Sequence, residues 1–173
     1  TLQQADIMPR GHAIECRVYA EDPARNFLPS PGRIRRLHEP VGPGIRIDSG
    51  ITEGQQIGSD YDPLLAKLLA HDASRDDALD RMTQALSDYV ILGPTTNIAH
   101  LKAILQHDAF RAGDLDTHFI ETHFGDWAPA PPPLEALIAV GATRSGSGRQ
   151  PAQITGRDPW SPWSNQGGWR QGV

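Results

Sequence analysis

The stretch His12-Ala13-Ile14-Glu15-Cys16-Arg17-Val18-Tyr19-Ala20 alternates an apolar set, Ile14, Cys16, Val18 and Ala20, with Glu15, Arg17 and Tyr19. A period of two belongs to a β-strand with one face turned inward, so the Glu15 carboxylate and the Arg17 guanidinium share the other face. Downstream, Pro29-Ser30-Pro31-Gly32 makes a turn. Arg33 to His38 and Ile45 to Asp48 then read as short strands separated by the Gly42-Pro43-Gly44 break. Gly54 and Gly58 bracket another short strand or turn around Ile57. Three or four antiparallel strands with tight connections are expected.

A helical half follows. Pro63, with Asp62 before it as N-cap, reads as a helix start, and Leu64, Leu65, Leu68 and Leu69 make one stripe. Ser74 with Asp77 three residues on has capping-box spacing, and Ala78, Leu79, Met82, Ala85, Leu86 and Tyr89 then keep the 3.6 period. Tyr89 to Leu92 can extend into a strand that ends at Gly93 and Pro94. A third helix is capped from Thr96 or Asn97 and buries Ile98, Leu101, Ile104 and Leu105, and a short fourth runs from about Thr117 to Phe124. The fold class is α+β: a small antiparallel sheet with helices packed on one face, followed by an irregular tail.

The chain has 173 residues, 38% hydrophobic and 21% charged, which suits one ordinary domain with some length left over. One cysteine cannot form an internal disulfide, and a formal charge of −5 has the wrong sign for a protein that neutralises phosphate backbones. No nucleic-acid partner is expected. No apolar run approaches the roughly 20 residues of a membrane helix, and the first ten residues lack a signal-peptide layout. A cytoplasmic setting without membrane contact is the default expectation. The chain opens on Thr1, mid-stride, and reads as an excised piece.

Composition changes near Trp127: residues 1–126 hold 19 of the 21 acidic and 12 of the 16 basic side chains. They form the expected domain. Residues 127–173 carry seven prolines and seven glycines, and read as a linker and the start of a following connecting region, poorly ordered. Within it, Leu134 to Val140 is an apolar run of about two helical turns. Asp158 to Val173 is Trp-rich and carries a Gly167-Gly168 turn before an expected strand.

Candidate chemistry is sparse. Among seven histidines no pair has HExxH spacing, and one cysteine allows no CxxC, so no metal site is expected. Cys16, on the apolar face of its strand, reads as core. There is no GxSxG elbow, and Ser145 to Gly148 lacks the lysine of a phosphate loop. Asp62 reads as a cap, and Arg33, Arg35 and Arg36 as a solvated face. Arg17 remains: a guanidinium on a rigid strand offers a fixed fork of donors for a planar anion such as carboxylate or bicarbonate. The alternative is a structural ion pair with Glu15 or with an acid on a neighbouring strand. Arg46, beside Gly44, has the same two readings.

The blocks Gly11 to Pro23 and Phe27 to Gly32 resemble the opening of the C-terminal domain of biotin carboxylase, and further matches follow at Gly44 to Gly50, Tyr61 to Leu68 and Leu92 to Ile98. The resemblance covers residues 1 to about 124. It implies part of an ATP-grasp ligase that activates bicarbonate as carboxyphosphate and carboxylates the ureido nitrogen of biotin. It implies that Arg17 is the catalytic and substrate-binding arginine that contacts biotin and the bicarbonate-derived group. It also implies that Arg46 lies at a subunit contact, where Pro43 replaces an aromatic residue of the bacterial acetyl-CoA enzyme. Biotin is then the cofactor, and ATP and magnesium belong to domains absent from this chain, so the isolated piece is expected to be inactive. The implied partners are the upstream ATP-grasp domains, a biotin carboxyl carrier domain and a carboxyltransferase subunit, with a homodimer as one arrangement. The stretches 158–164 and 167–172 resemble the connecting region of acyl-CoA carboxylase α subunits of the methylcrotonyl-CoA type. A non-catalytic scaffold or interaction domain of a pyruvate or urea carboxylase-like protein is the competing reading.

Overall fold

A computed structural model describes residues 2–146 of the chain, which divides into two units, Thr1–Pro129 and Ala130–Val173. In the first unit the order is β1 (His12–Tyr19), β2 (Glu21–Asp22), β3 (Leu28–Pro29), β4 (Gly32–Arg33), β5 (Arg36–His38), β6 (Ile45–Ser49), β7 (Gln56–Ile57), β8 (Leu64–Asp72), α1 (Arg75–Asp88), β9 (Val90–Leu92), α2 (Ile98–Gln106), α3 (Asp108–Ala112) and α4 (Phe119–Phe124). The strands β1, β8 and β6 form an antiparallel sheet in that spatial order, and β2–β3, β4–β7 and β5–β9 are two-stranded antiparallel ribbons. This is the α+β architecture expected from the sequence.

Alternation in β1 is realised as burial, with Cys16 and Val18 inside and Glu15 and Arg17 outside. The expected helix over residues 63–69 is a correction: these residues lead into and form the first part of β8, the central strand. Leucines at 64, 65, 68 and 69 fit a helical stripe and a buried strand equally, and a short apolar run cannot separate the two. What decides is pairing. Strand β8 has β1 on one edge and β6 on the other, so its backbone is satisfied without a helix, and Ala66, Leu68 and Ala70 go inward at period two. Pro63 precedes the strand, where its carbonyl accepts from Ala20 N at 2.9 Å and its missing N–H breaks no ladder. Asp62 caps the turn into β8, accepting from Leu64 N at 2.8 Å, and not a helix.

The next helix is as expected. Ser74 Oγ accepts from Asp77 N at 3.1 Å and donates to the Asp77 carboxylate at 2.6 Å. Leu79, Met82, Ala85 and Leu86 of α1 pack on Cys16, Val18, Ala66, Leu68 and Ala70, forming one core with Tyr89 and Leu105, and Ala78 is buried as well. Each fully buried large side chain, such as Leu68 or Met82, contributes about 1.5–3 kcal/mol. Ala20, Ile34, Ile51 and Leu65 form a smaller cluster beneath the ribbons. Of the four α2 residues expected to be buried, Leu105 is; Ile98, Leu101 and Ile104 are half-buried, and His100, which the sequence did not single out, is buried. Helix α3, which no sequence signal marked, ends on Gly113 in the left-handed conformation, φ 79°.

In the second unit the apolar run from Leu134 is helical and continues past Val140 as α5 (Leu134–Gly146). The strand expected within residues 158–173 lies outside the described residues. Among the described residues, no helix is long and apolar enough to cross a membrane.

Candidate functional site

The open face of the β1–β8–β6 sheet carries charge in rows set by register. Glu15 faces Leu69, which faces Arg46, and in the adjoining row Arg17 faces Lys67, which faces Asp48. The Arg17 guanidinium donates from Nε to Glu15 Oε1 at 3.3 Å, and the two side chains are 55% and 42% exposed. Hydrogen bonding by Tyr19 first, and by Glu15 second, holds that guanidinium charged beyond its ordinary range. The ion pair weighed as the alternative is therefore formed. Its exposure makes it a weak contributor to stability, because water and salt screen both charges.

The backbone beneath Arg17 is fixed from both sides. On one side β1 pairs with β8; on the other, Asn97, just ahead of α2, is 7% exposed and turns its side chain to the strand. Asn97 Oδ1 accepts from Tyr19 N at 2.9 Å and Asn97 Nδ2 donates to Arg17 O at 3.1 Å, while Asn97 N donates to Tyr19 O at 3.2 Å. The clamp grips where the β1–β8 register shifts, between Val18 and Tyr19. The sequence marks Asn97 only as a cap candidate. The structure gives it no capping bond, because its amide is spent on β1.

Arg46 lies on the edge strand β6, 72% exposed, and donates from Nε and Nη2 to the two oxygens of Asp48 at 2.9 and 3.0 Å. The loop ahead of it is tied to α1: Arg81 donates to Pro43 O at 2.6 Å and pairs with Asp72. Ala73 N–H, and then Arg81, hold the Asp72 carboxyl below its usual range. The Gly44 carbonyl accepts from His71 N at 2.8 Å, and its φ of 72° lets the chain enter β6. Arg17 and Arg46 thus share one sheet face but stand in different rows. Arg33 donates to Gly54 O and Arg36 meets Glu53 at 3.6 Å on the surface.

Burial pushes the Cys16 thiol up to about 12, so it stays protonated and serves the core. Among the described residues no three His, Cys, Asp or Glu side chains gather as a metal site. A second polar group that the sequence did not single out, His100, is buried edge-on to Phe27, Phe124 and Trp127 at 5.4, 5.5 and 4.9 Å between ring centroids. Burial lowers its basicity.

Residues 15–122 match the family model described as biotin carboxylase C-terminal domain. Over 124 residues, 71% of this chain and 27% of the relative, the chain is 44% identical to biotin carboxylase 1 of Bacillus subtilis. Over 171 residues, 98% of this chain and 24% of the relative, it is 36% identical to the alpha chain of the mitochondrial methylcrotonoyl-CoA carboxylase of Dictyostelium discoideum. The chain thus spans about a quarter of the length of these curated relatives. The biotin carboxylase domain of a thermophilic 2-oxoglutarate carboxylase, solved bound to bicarbonate, superposes with a TM-score of 0.72 at 40% identity, covering 75% of this chain and 29% of that one. The sheet, its helices and the matched residues agree, and the chain belongs to the biotin carboxylase C-terminal domain family.

Proposed function

We propose that this chain is the C-terminal part of a biotin carboxylase, an ATP-dependent ligase that transfers a carboxyl group from bicarbonate to biotin, and that Arg17 acts in its reacting centre. The observation that carries the reading is an exposed guanidinium on a strand whose backbone is held at that residue by both β8 and Asn97. A relative solved with bicarbonate supports the anion side of it. As biotin loses its ureido proton, negative charge gathers on the ureido oxygen. A fixed guanidinium meets that charge with two parallel donors and little reorganisation. Glu15 and Tyr19 restrain the head group in advance. ATP, held with magnesium by domains other than this one, supplies the activation of bicarbonate.

Arg46 is proposed as a subunit contact, on the grounds of its exposure on an edge strand and the tethered loop beside it. The likeness to the Dictyostelium alpha chain over 171 residues favours an acyl-CoA carboxylase alpha chain as the parent, acting with a biotin carboxyl carrier and a carboxyltransferase.

The test uses the full-length carboxylase. Arg17→Ala slows biotin carboxylation about 10²- to 10³-fold, the scale of one lost charge-stabilising donor, and Arg17→Lys recovers part of it because the charge returns without the fork. Were Arg17→Ala to carboxylate biotin at the parental rate, the ion pair with Glu15 would be the whole role of Arg17.

A further inference from the structure

We infer that Lys67 joins Arg17 in holding a small planar oxyanion, of the bicarbonate class, on the open face of the β1–β8–β6 sheet; the inference deepens the biotin carboxylase reading and rests on it. Register puts Lys67 directly across from Arg17 on one side and from Asp48 on the other. Like charges directly opposite each other in an antiparallel pair repel, and a sheet surface ordinarily avoids them or interposes an acid. Here neither neighbouring acid forms an ion pair with Lys67. Both oxygens of Asp48 are taken by Arg46, at 2.9 and 3.0 Å, and Glu15 is engaged by Arg17.

Lys67 itself is half-buried and, among the described residues, forms no hydrogen bond or ion pair through its side chain. The face therefore carries three cations, Arg17, Lys67 and Arg46, against two acids, Glu15 and Asp48, each paired with an arginine, on a chain whose formal charge is −5. Such a local excess leaves the Arg17–Lys67 juxtaposition in place with no ion pair to Lys67 among the described residues. Local rules are broken in this way where a ligand supplies the missing partner. The chemistry of the two cations fits a trigonal oxyanion: the guanidinium offers a planar fork to two oxygens and the ammonium a movable donor to the third. An anion seated there turns the repulsion between Arg17 and Lys67 into two attractions.

The experiment is done on the full-length carboxylase, with Lys67→Met, Lys67→Arg and Arg17→Ala, following ATP cleavage against bicarbonate concentration together with the thermal midpoint. Loss of one charged hydrogen bond raises the KM for bicarbonate about 10- to 100-fold in Lys67→Met. The KM for ATP stays at the parental value, and Lys67→Arg returns most of the bicarbonate affinity. The thermal midpoint of Lys67→Met is equal to or above the parental one, because the repulsion with Arg17 has gone. A parental KM for bicarbonate in Lys67→Met beside an impaired Arg17→Ala overturns the inference and leaves the biotin carboxylase reading standing. A lower midpoint with reduced kcat and unmoved KM overturns it too, making Lys67 a structural residue. A wild-type protein that cleaves no ATP in response to bicarbonate overturns the biotin carboxylase reading and this inference with it.

Discussion

On the helix side of the sheet, Cys16, Val18, Ala66, Leu68 and Ala70 are shut beneath α1; on the other side, one residue along the same strands, Glu15, Arg17, Lys67, Arg46 and Asp48 carry the charge. The two faces share a backbone and nothing else. Inward residues meet carbon atoms and are selected for volume, whereas outward ones meet water and each other and are free to carry chemistry. Because neighbouring side chains point to opposite sides, a change on one face need not disturb the other. Stability and activity should then separate residue by residue.

The sharpest break of that separation would come from the core. Leu68→Ala on β8 removes a fully buried side chain from the centre of the sheet and should cost about 2–5 kcal/mol in urea denaturation. The outward substitution Arg17→Ala, set beside it, should leave the urea midpoint close to the parental one, since it loses only an exposed ion pair. Equal losses in the two variants would show that the faces are not independent.

Asn97 is the one place where a buried residue should move both quantities. Asn97→Ala leaves Tyr19 N and Arg17 O without their side-chain partners at a buried position, a loss of about 1–3 kcal/mol. In the full-length carboxylase the same variant should lower kcat, by loosening the strand under Arg17, with less effect on the KM for ATP. A loss of stability with a parental kcat would confine Asn97 to the fold.

Arg46→Glu is a purely outward change. It should hold the urea midpoint near the parental value and weaken self-association of the full-length protein in sedimentation velocity, whereas unchanged association would remove Arg46 from the subunit contact. The smallest expected effect is that of His100. Its folded-state basicity is depressed by burial, so the unfolded chain takes up the proton first. Stability should therefore decline as pH falls below about 6.5, the ordinary histidine value, until the native imidazole also protonates. In His100→Phe that part of the decline should vanish when denaturation midpoints are compared at about one pH unit above and one below that value. An identical pH slope in variant and parent would show that His100 does not titrate differently in the folded chain.

Local patterns carried the sequence a long way. The alternation of Ile14, Cys16, Val18 and Ala20 defines β1 and puts Arg17 outside, and the spacing of Ser74 and Asp77 ahead of Ala78, Leu79, Met82, Ala85 and Leu86 defines α1. Each rests on residues within one element, where period and capping are read directly. The position of Arg17 on an open face was legible for the same reason.

What only the tertiary structure decided depends on partners far away in sequence. Residues 64–69 could follow either period, and β1 and β6 settled the choice by offering ladders to both edges of β8. Asn97 could cap α2, yet the backbone of Arg17 and Tyr19, 80 and 78 residues earlier, claimed its amide. Lys67 acquires its place beside Arg17 through register alone, and the register between two strands so distant in the chain is not written in either of them. Backbone pairing satisfies donors and acceptors wherever the chain happens to meet. A local pattern says which face a residue takes; only the completed sheet says what stands across from it.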